Sequence, residues 1–320
     1  MTRFLIRRAV LGLITLWVIV SLVFLLFYVA PNDPARGLAG KDATLKQLAA
    51  IRHELGLDLP LWDQYGRYVG RIAHFDFGTS IINRLPVTTI IKQAVPVDIS
   101  LAIGAAIIWL VIGVSVGVLA ARRPRSLLDR GATFFVLAGI SMPTFVLGLL
   151  LLFFLYYLLT INGFAIFPQA GIYTSIGHNP LQWAHDLILP WLTLALVTAA
   201  TYARLTRSSL LETLNEDYIR TARAKGLSER RVVYRHALRS ALTPLVTQFG
   251  IDFAQILGGA IITETVFSLP GLGLTVVQAI RQENLPVVIG VVVVASAFIV
   301  VANIVVDILY AVLDPRVRIQ

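Results

Sequence analysis

The sequence predicts an all-α membrane protein with six transmembrane helices and a partly helical outer loop between helices 1 and 2. Three observations carry that expectation. First, the 320-residue chain is 57% hydrophobic and only 14% charged, where a soluble domain carries about 25% charge; mean hydropathy is +0.78. Second, six apolar stretches approach the roughly 20 residues needed to cross a bilayer. Third, Lys and Arg sit unevenly in the segments between them.

The stretches are Ala9–Ala30, Ile99–Ala121, Ala132–Leu159, Leu187–Ala203, Ala241–Phe267 and Val287–Val312. The first is too long for the apolar region of a signal peptide, and Tyr28 occupies the −3 position before a cut after Ala30; it reads as a retained span. The third contains Pro143, which predicts tilt or a kink. The fourth is short and starts near Pro190. The chain then divides into an N-terminal span (1–30), an outer loop or cap (31–98) and a five-span core (99–320) with an inner loop at 204–240.

Of the 27 Lys and Arg, 18 fall on one side: Arg3, Arg7 and Arg8, the 122–130 loop, the Arg204–Arg239 loop, and Arg316 with Arg318. The 31–98 loop has eight, offset by seven carboxylates. Both termini are therefore expected in the cytoplasm. The net charge of +9 lies beside membrane spans, so it points to lipid and partner surfaces and away from nucleic acid. Cysteine is absent, which excludes disulfides and thiolate chemistry. His53 and His74 share one loop, but no metal-ligand cluster stands out. No GxxxxGK[ST] phosphate loop or Ser-His-Asp arrangement is visible, so no catalytic residue is expected.

In the outer loop, "TLKQLAAIRHELGL" reads as an amphipathic helix stopped by Gly56, and "DLPLWDQYGRYVGRI" places Leu61, Tyr65, Tyr68 and Ile72 on one side. A folded external cap is expected. In the inner loop, Arg204–Tyr218 extends the fourth span, with Leu210, Leu214 and Tyr218 on its apolar face. Ile219–Lys225 makes about two turns ended by Gly226 as a C′ residue, and Ser228 caps the next helix. Two readings of this elbow stand: an anchor to anionic lipid, worth about 1 kcal/mol per basic residue, or a rigid docking element. The small apolar residues Ala222, Ala224 and Leu227 among the basic ones favour docking.

"DYIRTARAKGLSERRVVYRHALRSALTPLV" resembles the cytoplasmic loop of oligopeptide/dipeptide-type ABC importer permeases. Gly226 matches the glycine of the family's EAA-x3-G signature and Ala222 its second alanine. Arg220, Thr221 and Arg239 depart from the general pattern. "LGLDLPLWDQYGRYVGRIAHFDFGTSI", "GISMPTFVLGLLLL", "ETVFSLPGLG" and "DPRVR" are similar to other parts of that branch. The resemblance implies a type I importer transmembrane domain in a bacterial cytoplasmic membrane. It implies a second homologous permease, two ATP-binding subunits carrying ATP and magnesium, and an extracytoplasmic solute-binding protein. It also implies that Arg220, Thr221, Ala222, Arg223, Ala224, Lys225 and Gly226 couple to the ATPase. This chain itself would bind no cofactor. The solute would be di- or oligopeptides, or else nickel complexes, haem or glutathione. A passive channel and an intramembrane enzyme are the readings from other classes.

Asp252, Glu264 and Asp307 fall within spans. A carboxylate at the bilayer centre costs about 2.5–3.5 kcal/mol on insertion scales. Glu264 and Asp307 are expected near span ends, close to water. Asp252, with Gln248, Gln255 and Met142, marks a possible translocation path; the alternative is a carboxyl packed against a neighbouring helix. Gly113-x-x-x-Gly117 fits either close helix approach or the ordinary glycine richness of membrane helices.

Overall fold

The computed structural model describes residues 2–29, 44–54 and 56–313. The described residues form helices joined by turns, with one isolated β-bridge, Thr79 to Pro86. Five helices are long and apolar enough to span a membrane: Ile6–Val29, Val87–Arg122, Thr144–Ile161, Pro180–Leu214 and Leu285–Val305. The bent pair Thr243–Leu257 and Ile261–Phe267, with 51° between its halves, makes a sixth candidate if its two halves count as one span.

Three spans differ from the sequence expectation. The second begins twelve residues early, at Val87, and runs through Pro96. The polar residues Lys92, Gln93 and Asp98 mask it in the hydropathy pattern. The fourth is a 35-residue helix, not a short one, and passes through Pro190. Asn179 caps it, its side chain accepting from the Leu181 and Gln182 amides. The third is not one kinked span. It splits into Leu127–Ser141 and a helix from Thr144, with Met142 and Pro143 extended between them. The residue before a proline is pushed out of the helical region, and here nothing restores it.

The chain divides into two compact units. One comprises Met1–Asp98, Leu257–Ile261 and Pro270–Ile304. Its core joins Val20, Val23 and Phe24 of the first span to Tyr68 of the cap and to Leu272, Val287 and Val291. The cap helix Leu61–Ala73 turns Tyr65, Tyr68 and Ile72 into that core, while Leu61 stays exposed. Phe24 meets the rings of Tyr28, Tyr65 and Tyr68 at 5.0–5.4 Å, and the Ser21 and Tyr65 hydroxyls are 2.7 Å apart. Buried Asn284 donates to Ser80 Oγ and accepts from the Ile81 amide, tying the 80–86 turn to the last span. His53 pairs with Asp58 and His74 with the Gly70 carbonyl.

The other unit comprises Ile99–Ile256, Ile262–Leu269 and Val305–Gln320. Within it the second and fourth spans touch through their backbones. A Cβ on Gly113 would stand 2.5 Å from Tyr202 Cβ, and one on Gly117 2.7 Å from the Ala203 carbonyl oxygen. The Gly-x3-Gly pair is thus a close-approach seam. Trp191 fills the space over Gly104 and donates its indole N–H to the Ser100 carbonyl at 2.9 Å.

Candidate functional site

The basic elbow is built inside the second unit. The fourth helix ends at Leu214, earlier than the sequence pattern places it, and a separate helix runs from Asp217 to Ala224. Asp217 in its first turn and Arg223 in its last complement the helix dipole. Gly226 stops it at φ 75°. The Gly226 amide donates to the Arg223 carbonyl and the Leu227 amide to the Ala222 carbonyl, the paired bonds of a Schellman turn. No atom outside the local chain lies within 4 Å of a Cβ placed on Gly226, so backbone angle alone requires the glycine.

One face of this helix is spoken for by the chain itself. Ile219 is fully buried and Ala222 nearly so, against Val118, Leu210, Val232, Val233, Ala237 and Ala241. Leu227, following the turn, joins the same cluster. Ala222 therefore faces inward, where the sequence reading placed it toward a partner. Arg223 is also engaged within the chain. It makes a bidentate pair with Glu229 at 2.9 and 3.1 Å and donates to the Leu214 carbonyl at 3.3 Å. That guanidinium thus joins three successive segments across the glycine. It holds the Glu229 carboxyl below the usual carboxylate range. The outward residues are Arg220, Thr221, Ala224 and Lys225, with Tyr218 46% exposed beside them. Arg220 meets Asp217 at 3.2 Å in an exposed pair, which contributes little.

Two further contacts fix the elbow's neighbours, and neither was legible in the sequence. Arg207 forms a fork on Asp129, Nη2 to Oδ2 at 3.0 Å, and the Arg125 amide donates to the same carboxylate at 2.8 Å. Together they hold the Asp129 carboxyl below its ordinary range, the Arg207 hydrogen bonds being the larger cause. The partners lie 78 residues apart, beyond any local pattern; the Ser126-x-x-Asp129 capping box was the one available signal. The Arg122 guanidinium lies 5.7 Å from the centre of the Tyr234 ring. Ser228 stands at the start of the next helix but makes no side-chain cap; that helix continues through a π-helical turn, Val232–Ala237.

In the fifth span, Gln248 Nε2 donates to Asp252 Oδ1 at 3.0 Å. The two are one turn apart, so this partner comes from the same helix and not from a neighbour. The Tyr202 hydroxyl is buried and makes no hydrogen bond among the described residues. Tyr202 and Phe249 both flank Trp109, at 6.0 Å. Gln255 is exposed, and Met142 sits half-buried at the break before Pro143; neither joins the Asp252 hydrogen bond. Glu264 is fully buried instead of near water, and the Asp307 side chain lies outside the described residues, as does the "DPRVR" ending. Asp98 does not end the outer loop. It is buried in the second span, and its Oδ2 accepts from the Leu272 amide at 2.8 Å. The "PGLG" turn thus presents its helix N-terminus to a carboxylate of the chain.

The comparisons with known proteins agree along the whole length. Residues 113–319 match the family described as binding-protein-dependent transport system inner membrane component, and residues 1–102 match its N-terminal counterpart. A probable peptide ABC transporter permease of Sinorhizobium fredii is 40% identical over 98% of this chain and 99% of its own length. A glutathione transport system permease of Escherichia coli is 39% identical over 99% of each chain. An oligopeptide transport system permease of Bacillus subtilis is 37% identical over 99% of this chain and 100% of its own. A solved inward-facing MetNI methionine ABC transporter chain superposes with TM-score 0.52 at 21% identity, covering 71% of this chain and 97% of that one, and so supports the fold. These matches establish a multi-pass inner-membrane permease with the type I importer fold, working with separate ATPase and solute-binding proteins and not itself an enzyme. The chain belongs to the family of binding-protein-dependent transport system inner membrane components.

Proposed function

We propose that this permease imports peptides and that the elbow at Asp217–Gly226 is its coupling element to an ATPase subunit. The observation that carries the reading is the division of labour within the elbow. Ile219, Ala222 and Arg223 lock the helix to the membrane helices on both sides, while Arg220, Thr221, Ala224 and Lys225 stay outward. A helix fixed in this way passes a push on its outer face to the spans as a rigid body. A floppy loop would absorb it.

The solute assignment rests on the relatives, two of which are named for peptides and one for glutathione, itself a small peptide. In this reading the permease pairs with a related, non-identical permease and with two ATPases that hold ATP and magnesium. Both termini are cytoplasmic, which follows from the Lys and Arg distribution. Asp252, Gln248, Gln255 and Met142 border the solute path. The test is uptake of labelled di- and tripeptides, glutathione, haem and nickel by a reconstituted complex. Uptake of nickel or haem alone would contradict the peptide assignment. Orientation is tested with single cysteines in this cysteine-free chain. Leu45→Cys should react with an impermeant thiol reagent in intact cells, and Ser228→Cys should not.

A further inference from the structure

The fifth span carries a polar face where lipid would favour an apolar one. In the helix Thr243–Leu257, Leu245, Gly250 and Ala254 are buried. Thr247, Ile251 and Gln255 are exposed, Gln248 is half-buried among them, and Asp252 is half-buried at their edge. The helical period puts these five residues on one side, and all belong to one compact unit. The third span, by contrast, exposes Leu149, Leu150, Phe153 and Phe154, as a lipid-facing surface does.

The acid on this face has no cation from its own chain. Asp252 Oδ1 accepts from Gln248 Nε2 at 3.0 Å, and Asp252 makes no ion pair among the described residues. No Lys, Arg or His occurs between Arg239 and Arg281, so the fifth span supplies none. A carboxylate has about four acceptor sites, and the bond from Gln248 fills one. A lone carboxylate within the membrane is costly. A cation within a few ångströms is the group that offsets that cost.

A peptide brings such cations with it, an ammonium at its amino terminus and others on basic side chains. Resting on the reading above that this face borders the solute path, we infer that Asp252 is a specificity-determining residue. Its carboxylate, held in place by Gln248, draws the ammonium groups of the solute and repels its carboxylates. Thr247 and Gln255 both donate and accept hydrogen bonds, so they serve either charge. Discrimination by charge on this face falls to Asp252.

The experiment uses the complete reconstituted complex. Ile251 is 54% exposed beside Asp252, and Ile251→Cys gives this cysteine-free chain one reporter thiol. Its rates of modification by a cationic (trimethylammonium) and an anionic (sulfonate) methanethiosulfonate reagent are compared. Adding Asp252→Asn or Asp252→Ser should lower the cationic-to-anionic ratio by about threefold or more. In the same neutral variants without the reporter, uptake of a Lys-containing tripeptide relative to a Glu-containing one should fall. The binding protein is the same throughout, so its own preference cancels. If one neutral variant fails to assemble, the other decides. Modification by neither reagent would show the face to be covered, and would overturn the path reading and this inference with it. Modification by both, at a ratio the neutral variants leave unchanged, would overturn this inference alone. A ratio that responds while uptake of both peptides changes equally would show a charge that does not select solutes, and would overturn it too.

Discussion

The elbow helix Asp217–Ala224 and the cap helix Leu61–Ala73 are alike in plan and different in how they are held. Each lies beside spans of its own unit, buries one face and ends in the same pair of turn hydrogen bonds. In the cap, the Phe75 amide donates to the Ile72 carbonyl and the Asp76 amide to the Arg71 carbonyl. The elbow places glycine at the position of positive φ, whereas the cap places Phe75 there at φ 57°. The elbow's buried face is small, Ile219 and Ala222, and an Arg–Glu fork secures it. The cap's buried face is a cluster of aromatic rings. Small side chains and a guanidinium latch fix the elbow at short range. Ring packing fixes the cap, and it carries backbone strain at its end.

Breaking the elbow's inner face should give the largest effect. Ala222→Glu places a carboxylate among Val118, Leu210 and Val232, and an uncompensated buried charge costs about 3–5 kcal/mol. The expected result is loss of monodisperse protein after detergent extraction. Lys225→Glu, on the exposed face, should extract normally. Equal extraction of both would contradict the assignment of faces.

Gly226→Val comes next. With open space around Gly226, the cost is backbone strain of about 1–2 kcal/mol, made worse by a β-branch. Gly226→Asn should recover most of the loss, since Asn tolerates this conformation. If Asn were as damaging as Val, a steric role would have to replace the conformational one. The opposite change in the cap, Phe75→Gly, should stabilise the protein by roughly 1 kcal/mol, because the ring is 72% exposed and little packing is lost. Thermal midpoints of the three variants measure the contrast.

Much of this was legible in the sequence, and the misses have physical causes. Hydropathy marked the regions of the five long apolar helices and of the bent pair because apolar length is a property of the chain alone. It missed the start of the second span because Lys92 stays exposed and Asp98 is tolerated once the Leu272 amide donates to it. Prolines were ambiguous: Pro96 and Pro190 pass through helices while Pro143 ends one. A proline's cost depends on whether neighbours can satisfy the freed carbonyl, and that is a tertiary fact. In the elbow, glycine and dipole pattern gave the helix and its stop. A small residue on a short amphipathic helix has one signature for a partner's surface and for the chain's own core, so Ala222 could be placed in either. Arg223 and Glu229 lie across the glycine, outside helical spacing.

The smallest expected effect is a pH dependence in the latch. Arg223 depresses the Glu229 pKa in the folded state, so the pair's contribution is complete above the unfolded carboxylate value, about 4.3. It is lost as pH falls through the lower folded value. The pair is partly exposed and contributes under about 1 kcal/mol. Proteolysis at the elbow should quicken modestly below pH 4 in the wild type, and Arg223→Gln should already be fast at pH 7 with a flatter profile. The cap's end should loosen over the same range, since the Gly78 amide and Arg71 hold the Asp76 carboxyl low in the same way, while its ring cluster should not respond.

The central claim, that the outward face of the elbow transmits ATPase motion, is tested by one measurement on the reconstituted complex. ATP hydrolysis is recorded with and without solute-loaded binding protein for two variants of equal charge change. Thr221→Glu with Ala224→Glu alters the outward face, and Arg230→Gln with Arg231→Gln removes two positive charges beyond the glycine. The account predicts that the first variant inserts normally but loses the ATPase or its stimulation, while the second retains both. Normal stimulation in the first with loss in the second would show that total charge at the lipid surface matters and position does not, and would contradict the account.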